Sequence, residues 1–290
     1  CSSDLGAEIY NNSEVIAINT QQKTVTVRDT TANQTQEYDY DKLILSSGVT
    51  PKRLPVAGST LENVYLMRGK DWATKIKAKL EDPSVQNITV VGAGYIGIEA
   101  VEASVKAGKN VTLIDVIDRP LGNYLNAPLT TIIEKELKDN GVTVITGANI
   151  QSFEGQDKVT AVKTNNNNYP TDLVIQAVGV QPNTSWLDGV VALDNRGWIK
   201  TDEYLRTNVS DVYAVGDAVL SYSIPAQTKL PIALASVVRR QVRYVITHLF
   251  ENQPALPFNG VVGSSALSVF NYRFATVGLN TTTAEKANVT

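Results

Sequence analysis

The stretch Ile88-Thr89-Val90-Val91-Gly92-Ala93-Gly94-Tyr95-Ile96-Gly97-Ile98-Glu99-Ala100 decides the fold class. An apolar run (Ile88, Val90, Val91) meets a glycine turn (Gly92, Gly94, Gly97), and a helical pattern then runs to Gly108. A second apolar run, Val111, Leu113 and Ile114, ends in a carboxylate, Asp115. A G-x-G-x-x-G alone carries little weight. Strand, glycine turn, helix, strand and acid in this order, with the acid about 20 residues on, point to dinucleotide binding. Each glycine has a physical task. Gly92 permits the tight turn, Gly94 lets phosphate oxygens reach backbone N–H groups at the helix N-terminus, and Gly97 lets the helix pack on the strand. The helix dipole adds partial positive charge at the same point. Asp115 is placed to accept hydrogen bonds from both adenosine ribose hydroxyls, and its charge repels a 2′-phosphate. No arginine stands directly beside it, Arg119 being four residues on.

Outward from this unit the pattern alternates. Upstream, Ala7–Tyr10, Val15–Ile18 and Thr24–Val27 read as β-branched strand candidates, residues 28–37 as a polar loop, and Asp41–Gly48 as a buried strand running into a small-residue turn. Pro51, Pro55 and Gly58 make a connector. The spacing of Trp72, Ile76 and Leu80 predicts a helix over 70–80, and Leu129, Ile132, Ile133 and Leu137 predict another over 127–140. Val142–Ile145 reads as a third strand. Residues 151–154, 159–163 and 173–178 read as a meander, with Asn165–Asn168 as a loop between two of its strands. Further on come Val212–Asp217, a helix over 232–250, and strand signals at 266–270 and 274–278. Gly216-Asp217-Ala218 places an acid at a strand's carboxyl end, where it can bind a hydroxylated chain, although such a turn is a site no more often than a plain turn. Tyr95 reads equally as a ring cover or a packing residue. Glu99 reads equally as a site carboxylate or one favoured by the helix dipole.

The bulk numbers bound the class. A chain of 290 residues with 43% apolar and 19% charged residues is an ordinary globular composition, long enough for about two domains. The net charge of -3 and the absence of any Lys/Arg block argue against a nucleic-acid surface. No apolar run approaches the roughly 20 residues that span a bilayer, and no secretion signal is visible, so a cytoplasmic location is expected. One cysteine, Cys1, and one histidine, His248, exclude an intrachain disulfide and a zinc site built from Cys and His; no metal site is expected. The chain opens on Cys1-Ser2-Ser3-Asp4 without methionine and reads as a piece of something longer.

Taken together, the order of motifs resembles one family. The pieces are Tyr40–Gly48, Tyr65–Gly69, Val91–Glu99, Asp115–Gly122, Ala177–Asn183 and Val212–Ala218. The chain is similar, over nearly its whole length, to the NADH peroxidase and water-forming NADH oxidase group of the disulfide-reductase-like flavoproteins, with coenzyme A-disulfide reductase as a relative. Tyr65–Gly69 and Trp72–Lys77 point most to the peroxidase branch.

That resemblance implies an α/β fold with two Rossmann-like nucleotide-binding domains: an FAD domain (1–49 and 182–257) interrupted by an inserted NAD domain (50–181), then the start of an α+β interface domain (258–290). It implies FAD contacts at Ser46, Ser47, Gly48, Val49, Arg68, Asp217 and Ala235, and NADH contacts at Gly92, Ala93, Gly94, Tyr95, Ile96, Gly97, Asp115, Tyr124, Gly179 and Ala233. Tyr95 matches the family tyrosine that shields the flavin until nicotinamide enters, and Glu99 matches a carboxylate near that ring. Ser47 departs from the Pro or Thr often found in its turn. The family's FAD-binding strand–glycine-turn–helix, its redox cysteine and the histidine near it have no counterpart here, since the neighbours of Cys1 match no part of the cysteine motif and His248 lies on the late helix. Weak or no FAD retention is therefore expected.

Three functions compete. The leading one is a flavin-dependent NADH oxidoreductase that, when intact, is a homodimer or higher homo-oligomer and reduces hydrogen peroxide or O2 to water through a cysteine sulfenic acid. The second is a coenzyme A-disulfide reductase of the same fold. The third is a non-catalytic NADH-binding module. Because of Asp115, NADH is expected to bind more tightly than NADPH; dissociation constants measured for both check this, and equal or tighter NADPH binding overturns it.

Overall fold

A computed structural model describes residues 6–251 and 256–289; Cys1 lies outside the described residues. The chain forms two compact units. One comprises residues 1–49, 182–222 and 229–261, the other residues 50–181, 223–228 and 262–290.

The second unit is built on a five-stranded sheet. Its strands lie in the order Val64–Leu66, Leu173–Gln176, Asn87–Val91, Asn110–Ile114 and Thr143–Ile145, and all pairings are parallel. The period of two along each strand sorts the side chains into two cores. Val90, Leu113, Leu173 and Ile175 face a cluster that takes in Ile76, Ile98, Val101, Ile133 and Leu137 from the helices Lys70–Glu81, Tyr95–Lys106 and Ala127–Asp139. Val64, Val91, Ile114 and Val174 face the opposite way, against Phe153, Val159 and Val162 of an antiparallel meander. The unit is thus a helix layer, a parallel sheet and a β layer.

Several expectations change here. Leu173–Gln176 is not the last strand of the meander: it is an interior strand of the parallel sheet, buried at all four positions, which is why Leu173, Val174 and Ile175 run together without alternation. The third meander strand is Asn168–Pro170, so the last asparagine of the run is in a strand. In Ala127–Asp139 the buried stripe is Thr130, Ile133, Glu136 and Leu137, while Leu129 and Ile132 are exposed. Most of 258–290, the stretch expected to begin an interface domain, groups by its contacts with this unit from Val262 onward. Its hairpin, Ser264–Val269 with Tyr272–Val277, contributes Leu267 and Val269 to the helix-side core.

In the first unit, Ser13–Asn19, Thr24–Asp29 and Thr35–Asp39 form an antiparallel meander. The third of these strands lies partly in the stretch expected to be loop, and Ala7–Tyr10 is not a strand. Leu43–Leu45 pairs in parallel with Val212–Ala214, and the helix Ala235–His248 buries Val237, Gln241 and Val245. No helix among the described residues is long and apolar enough to cross a membrane.

Asp211 ties this unit's early strands to its late one. Its two oxygens accept from Lys23 Nζ and Lys42 Nζ, each at 2.6 Å. Those two bonds hold its carboxyl down at about 2. The folded value lies below the unfolded one, so the stabilisation is complete above about pH 4 and is lost as pH falls through the folded value. Asp211 has φ +65°, which asparagine tolerates. Asp211→Asn should therefore cost about 1 kcal/mol at neutral pH, the scale of a partly exposed ion-pair network, and only a small part of that near pH 2, where the folded carboxyl is half protonated; urea titrations at the two pH values check it.

Candidate functional site

The carboxyl ends of the parallel strands in the second unit carry most of the residues singled out in the sequence. Arg68 follows Val64–Leu66, Gly92 follows Asn87–Val91, Asp115 follows Asn110–Ile114, and Gly179 lies just beyond Leu173–Gln176. Strand order reverses direction between Leu173–Gln176 and Asn87–Val91, and open α/β sheets bind ligands at such a switch point.

The glycine turn is sterically obligatory at two positions. Gly92 has φ +104°, and a Cβ there would lie 2.4 Å from the carbonyl oxygen of Ala177. A Cβ on Gly97 would lie 1.8 Å from the carbonyl oxygen of Gly92. Gly94 differs: its Cβ would meet only the Tyr124 ring, at 3.7 and 3.8 Å. The helix Tyr95–Lys106 starts behind Gly94 with no side-chain cap, which leaves its N-terminal donors for a ligand. Asp115 closes the other side. Its Oδ1 accepts from Ile117 N at 3.0 Å and its Oδ2 accepts from Ala93 N inside the turn. Arg119 pairs with Asp118.

Tyr124 covers this turn at Gly94, with Tyr95 stacked on it. Tyr95 and Tyr124 have ring centroids 4.0 Å apart with planes inclined at 30°. Ser265 Oγ donates to Tyr95 Oη at 2.7 Å. Burial raises the Tyr95 phenol above its ordinary value, and the Ser265 bond partly offsets this. Burial, with the neighbouring Tyr95, raises Tyr124 as well. Ile96 is half-buried beside them. Glu99 is exposed and lines an open groove of about 790 Å³ with Glu102, Lys106, Ser268 and Arg273.

In the first unit a second cluster forms where Leu43–Leu45 and Val212–Ala214 end together. Ser46-Ser47-Gly48 follows the first strand and Gly216-Asp217-Ala218 follows the second as a single 3-10 turn. Gly216 has φ +85°, and a Cβ there would approach Ser46 Oγ to 3.1 Å. Gly216 N donates to Gln241 Oε1 at 2.9 Å, and Gln241 Nε2 donates to Ser221 Oγ at 3.0 Å, so a fully buried amide pins the turn. Val49 is buried behind the first turn, and Asn183 N donates to Gly48 O at 2.9 Å. Ser47 Oγ is buried without a hydrogen-bond partner. An unsatisfied hydroxyl beside two positive-φ glycines and an acid fits a polyhydroxylated ligand passing close to backbone, as the ribityl and pyrophosphate part of a flavin nucleotide would. Ala233 and Ala235 are exposed at the start of the helix Ala235–His248. His248 Nδ1 lies 2.9 Å from Glu251 Oε2, a helix-end contact.

Ser265, Gln241 and Asn183 were not singled out in the sequence as site residues. Each acts through a partner far away in the chain or in another element, and no local motif announces such a contact.

A family model described as pyridine nucleotide-disulphide oxidoreductase matches residues 2–241. An NADH oxidase of Enterococcus faecalis is 38% identical over 285 residues, covering 98% of this chain and 63% of that protein. A coenzyme A disulfide reductase of Staphylococcus aureus is 30% identical over 267 residues, covering 92% of this chain and 59% of that protein. The structure of a water-forming NADH oxidase from Lactobacillus brevis, bound to NADH, superposes with a TM-score of 0.92 at 34% identity, over 99% of this chain and 63% of that one. The chain thus spans less than two thirds of the length of these relatives.

The glycine geometry separates fold from ligand. Gly97→Ala should cost about 1–3 kcal/mol or more through overpacking, whereas Gly94→Ala should stay within about 0.5 kcal/mol, since its Cβ makes ordinary contacts. Urea midpoints of the two variants check this.

Proposed function

The chain belongs to the pyridine nucleotide-disulphide oxidoreductase family, and on that footing we propose that it binds NADH and FAD and serves an NADH oxidoreductase that reduces O2 or hydrogen peroxide to water. The observation that carries the reading is the uncapped helix N-terminus behind Gly94 with Asp115 one strand away. Backbone donors there suit a pyrophosphate, and the Asp115 carboxylate suits two ribose hydroxyls. On this reading Gly92, Ala93, Gly94, Ile96 and Gly97 shape the pyrophosphate site, and Tyr95, Tyr124, Gly179 and Ala233 complete the NADH contacts. Glu99 takes the role of a carboxylate near the nicotinamide.

Ser46, Ser47, Gly48, Val49, Arg68, Asp217 and Ala235 are the proposed flavin contacts. FAD, when bound, would accept hydride from NADH and pass electrons on to the oxidant. The Asp217 carboxylate would accept from ribityl hydroxyls, and Ser47 Oγ would gain the partner it lacks. Residues 1–49 and 182–257 are assigned to FAD, residues 50–181 to NADH, and residues 258–290 to an interface that would make the intact protein a homodimer or higher homo-oligomer. A cytoplasmic location goes with the same reading.

The finer chemistry passes through a cysteine that alternates between thiolate and sulfenic acid. The chain's one cysteine, Cys1, is flanked by Ser2-Ser3-Asp4 and does not suit that role. Oxygen reduction consumes two NADH and two protons per O2 and yields two waters; peroxide reduction consumes one NADH and one proton per peroxide. The oxidase relatives weigh toward oxygen, while the S. aureus relative keeps reduction of coenzyme A disulfide as the second reading.

NADH titration of the purified chain tests the core of the reading, and Gly94→Ala should weaken binding at least about tenfold while the fold is retained. A chain that does not bind NADH sinks it. A flavin absorbance spectrum of the purified chain tests the FAD part of the reading. In the full-length protein, the ratio of NADH to O2 consumed separates oxidase from peroxidase, and turnover on coenzyme A disulfide identifies the second reading.

A further inference from the structure

The hairpin 264–277 is rooted in the second unit by more than apolar packing. Glu102 Oε2 accepts from Phe270 N at 3.1 Å, and Glu136 Oε1 accepts from Asn271 N and Nδ2 at 3.1 and 2.9 Å. Two carboxylates on neighbouring helices therefore grip the hairpin's turn. With Leu267 and Val269 buried in the core, Ser265 has a fixed position. From that position its hydroxyl donates to Tyr95 Oη.

The segment that follows the hairpin holds the other tyrosine's loop. Asn280 Nδ2 donates to Gly122 O at 3.2 Å, and Thr281 N donates to Asn126 Oδ1 at 2.9 Å, one contact on either side of Tyr124. Tyr124 in turn lies against Tyr95 and over the open side of Gly94. That side of Gly94 is the approach the missing side chain leaves for a ligand's phosphates.

We propose that Ser265 is a positioning residue that latches the Tyr95 ring against Tyr124, and so holds Tyr124 closed over Gly94. The inference rests on the NADH-binding reading and adds a control to it. The dinucleotide reaches the turn only when the ring pair parts, and the Ser265–Tyr95 bond is what parting breaks. Residues 264–281 thereby set how fast the site opens, although Ser265 itself need not touch the ligand.

Stopped-flow NADH binding to the purified chain tests this. Ser265→Ala should raise the association rate constant about fivefold, the factor a single net hydrogen bond carries. Ser265→Thr keeps the hydroxyl on a residue suited to a strand and should restore the wild-type rate. Tyr95→Phe removes the same bond from its other end and should accelerate binding by a similar factor. In the Tyr95→Phe background, Ser265→Ala should then add almost nothing, which a merely structural role for Ser265 would not produce. Normal NADH binding with no effect of Ser265→Ala overturns the latch alone, as does an equal acceleration in both backgrounds. A wild-type chain that does not bind NADH overturns the NADH-binding reading itself.

Discussion

The approach of Gly97 to the carbonyl of Gly92 is the constraint on which the second unit turns. Only a residue without Cβ can sit there, because the added atom would overlap the oxygen at 1.8 Å. The close approach fixes the helix Tyr95–Lys106 against the end of Asn87–Val91, and three consequences follow from that one placement. Ile98 and Val101 fall into the helix-side core. The uncapped first turn comes to the switch point of the sheet. Tyr95, the first helical residue, comes within reach of both Tyr124 and Ser265. Core packing, anion binding and ring placement therefore share one steric origin.

The first unit obtains a similar result by different means. Its Gly216 turn is held by a buried amide, Gln241, reaching from a helix to a backbone N–H. Ordering a buried side chain in this way costs little once both ends of the amide are satisfied, and the Ser221 hydroxyl satisfies the second. Both units thus present a glycine at positive φ just beyond a parallel strand, one at Gly92 and one at Gly216. In each case the strand's carboxyl end is where the backbone is open to a ligand.

How much of this was legible in the sequence depends on the range of the interaction. The glycine turn, its helix and Asp115 were legible because strand, turn, helix and acid are local and their spacing is mechanical. Leu173–Gln176 was legible as a strand but not in its place, since nothing in three apolar residues and a glutamine says which strands will flank them. The strand Thr35–Asp39 was missed because Thr35-Gln36-Glu37 is polar and exposed, a surface strand without an apolar face. Leu129 and Ile132 suggested a wider apolar stripe than the helix buries. Glu136 carries no local signal of its role: it is buried and bonded to Asn271 from a distant segment. Family resemblance supplied roles for Tyr95 and Tyr124, but the hydroxyl that joins Tyr95 to the hairpin lies 170 residues away in the chain and leaves no trace in local pattern.

The packing of Leu267 and Val269 beside Ile98 and Val101 also bears on the order in which the chain can acquire structure. About 160 residues separate the end of the helix Tyr95–Lys106 from the start of the hairpin that completes its core. At ordinary rates of synthesis, roughly 5–20 residues per second, the helix waits about 10–30 s for that partner. Until then one apolar flank of the α/β unit is uncovered, and contacts of such long sequence separation are the slow ones to form. The nascent unit is therefore most exposed to aggregation, and most open to chaperone binding, in the interval before residues 264–277 leave the ribosome.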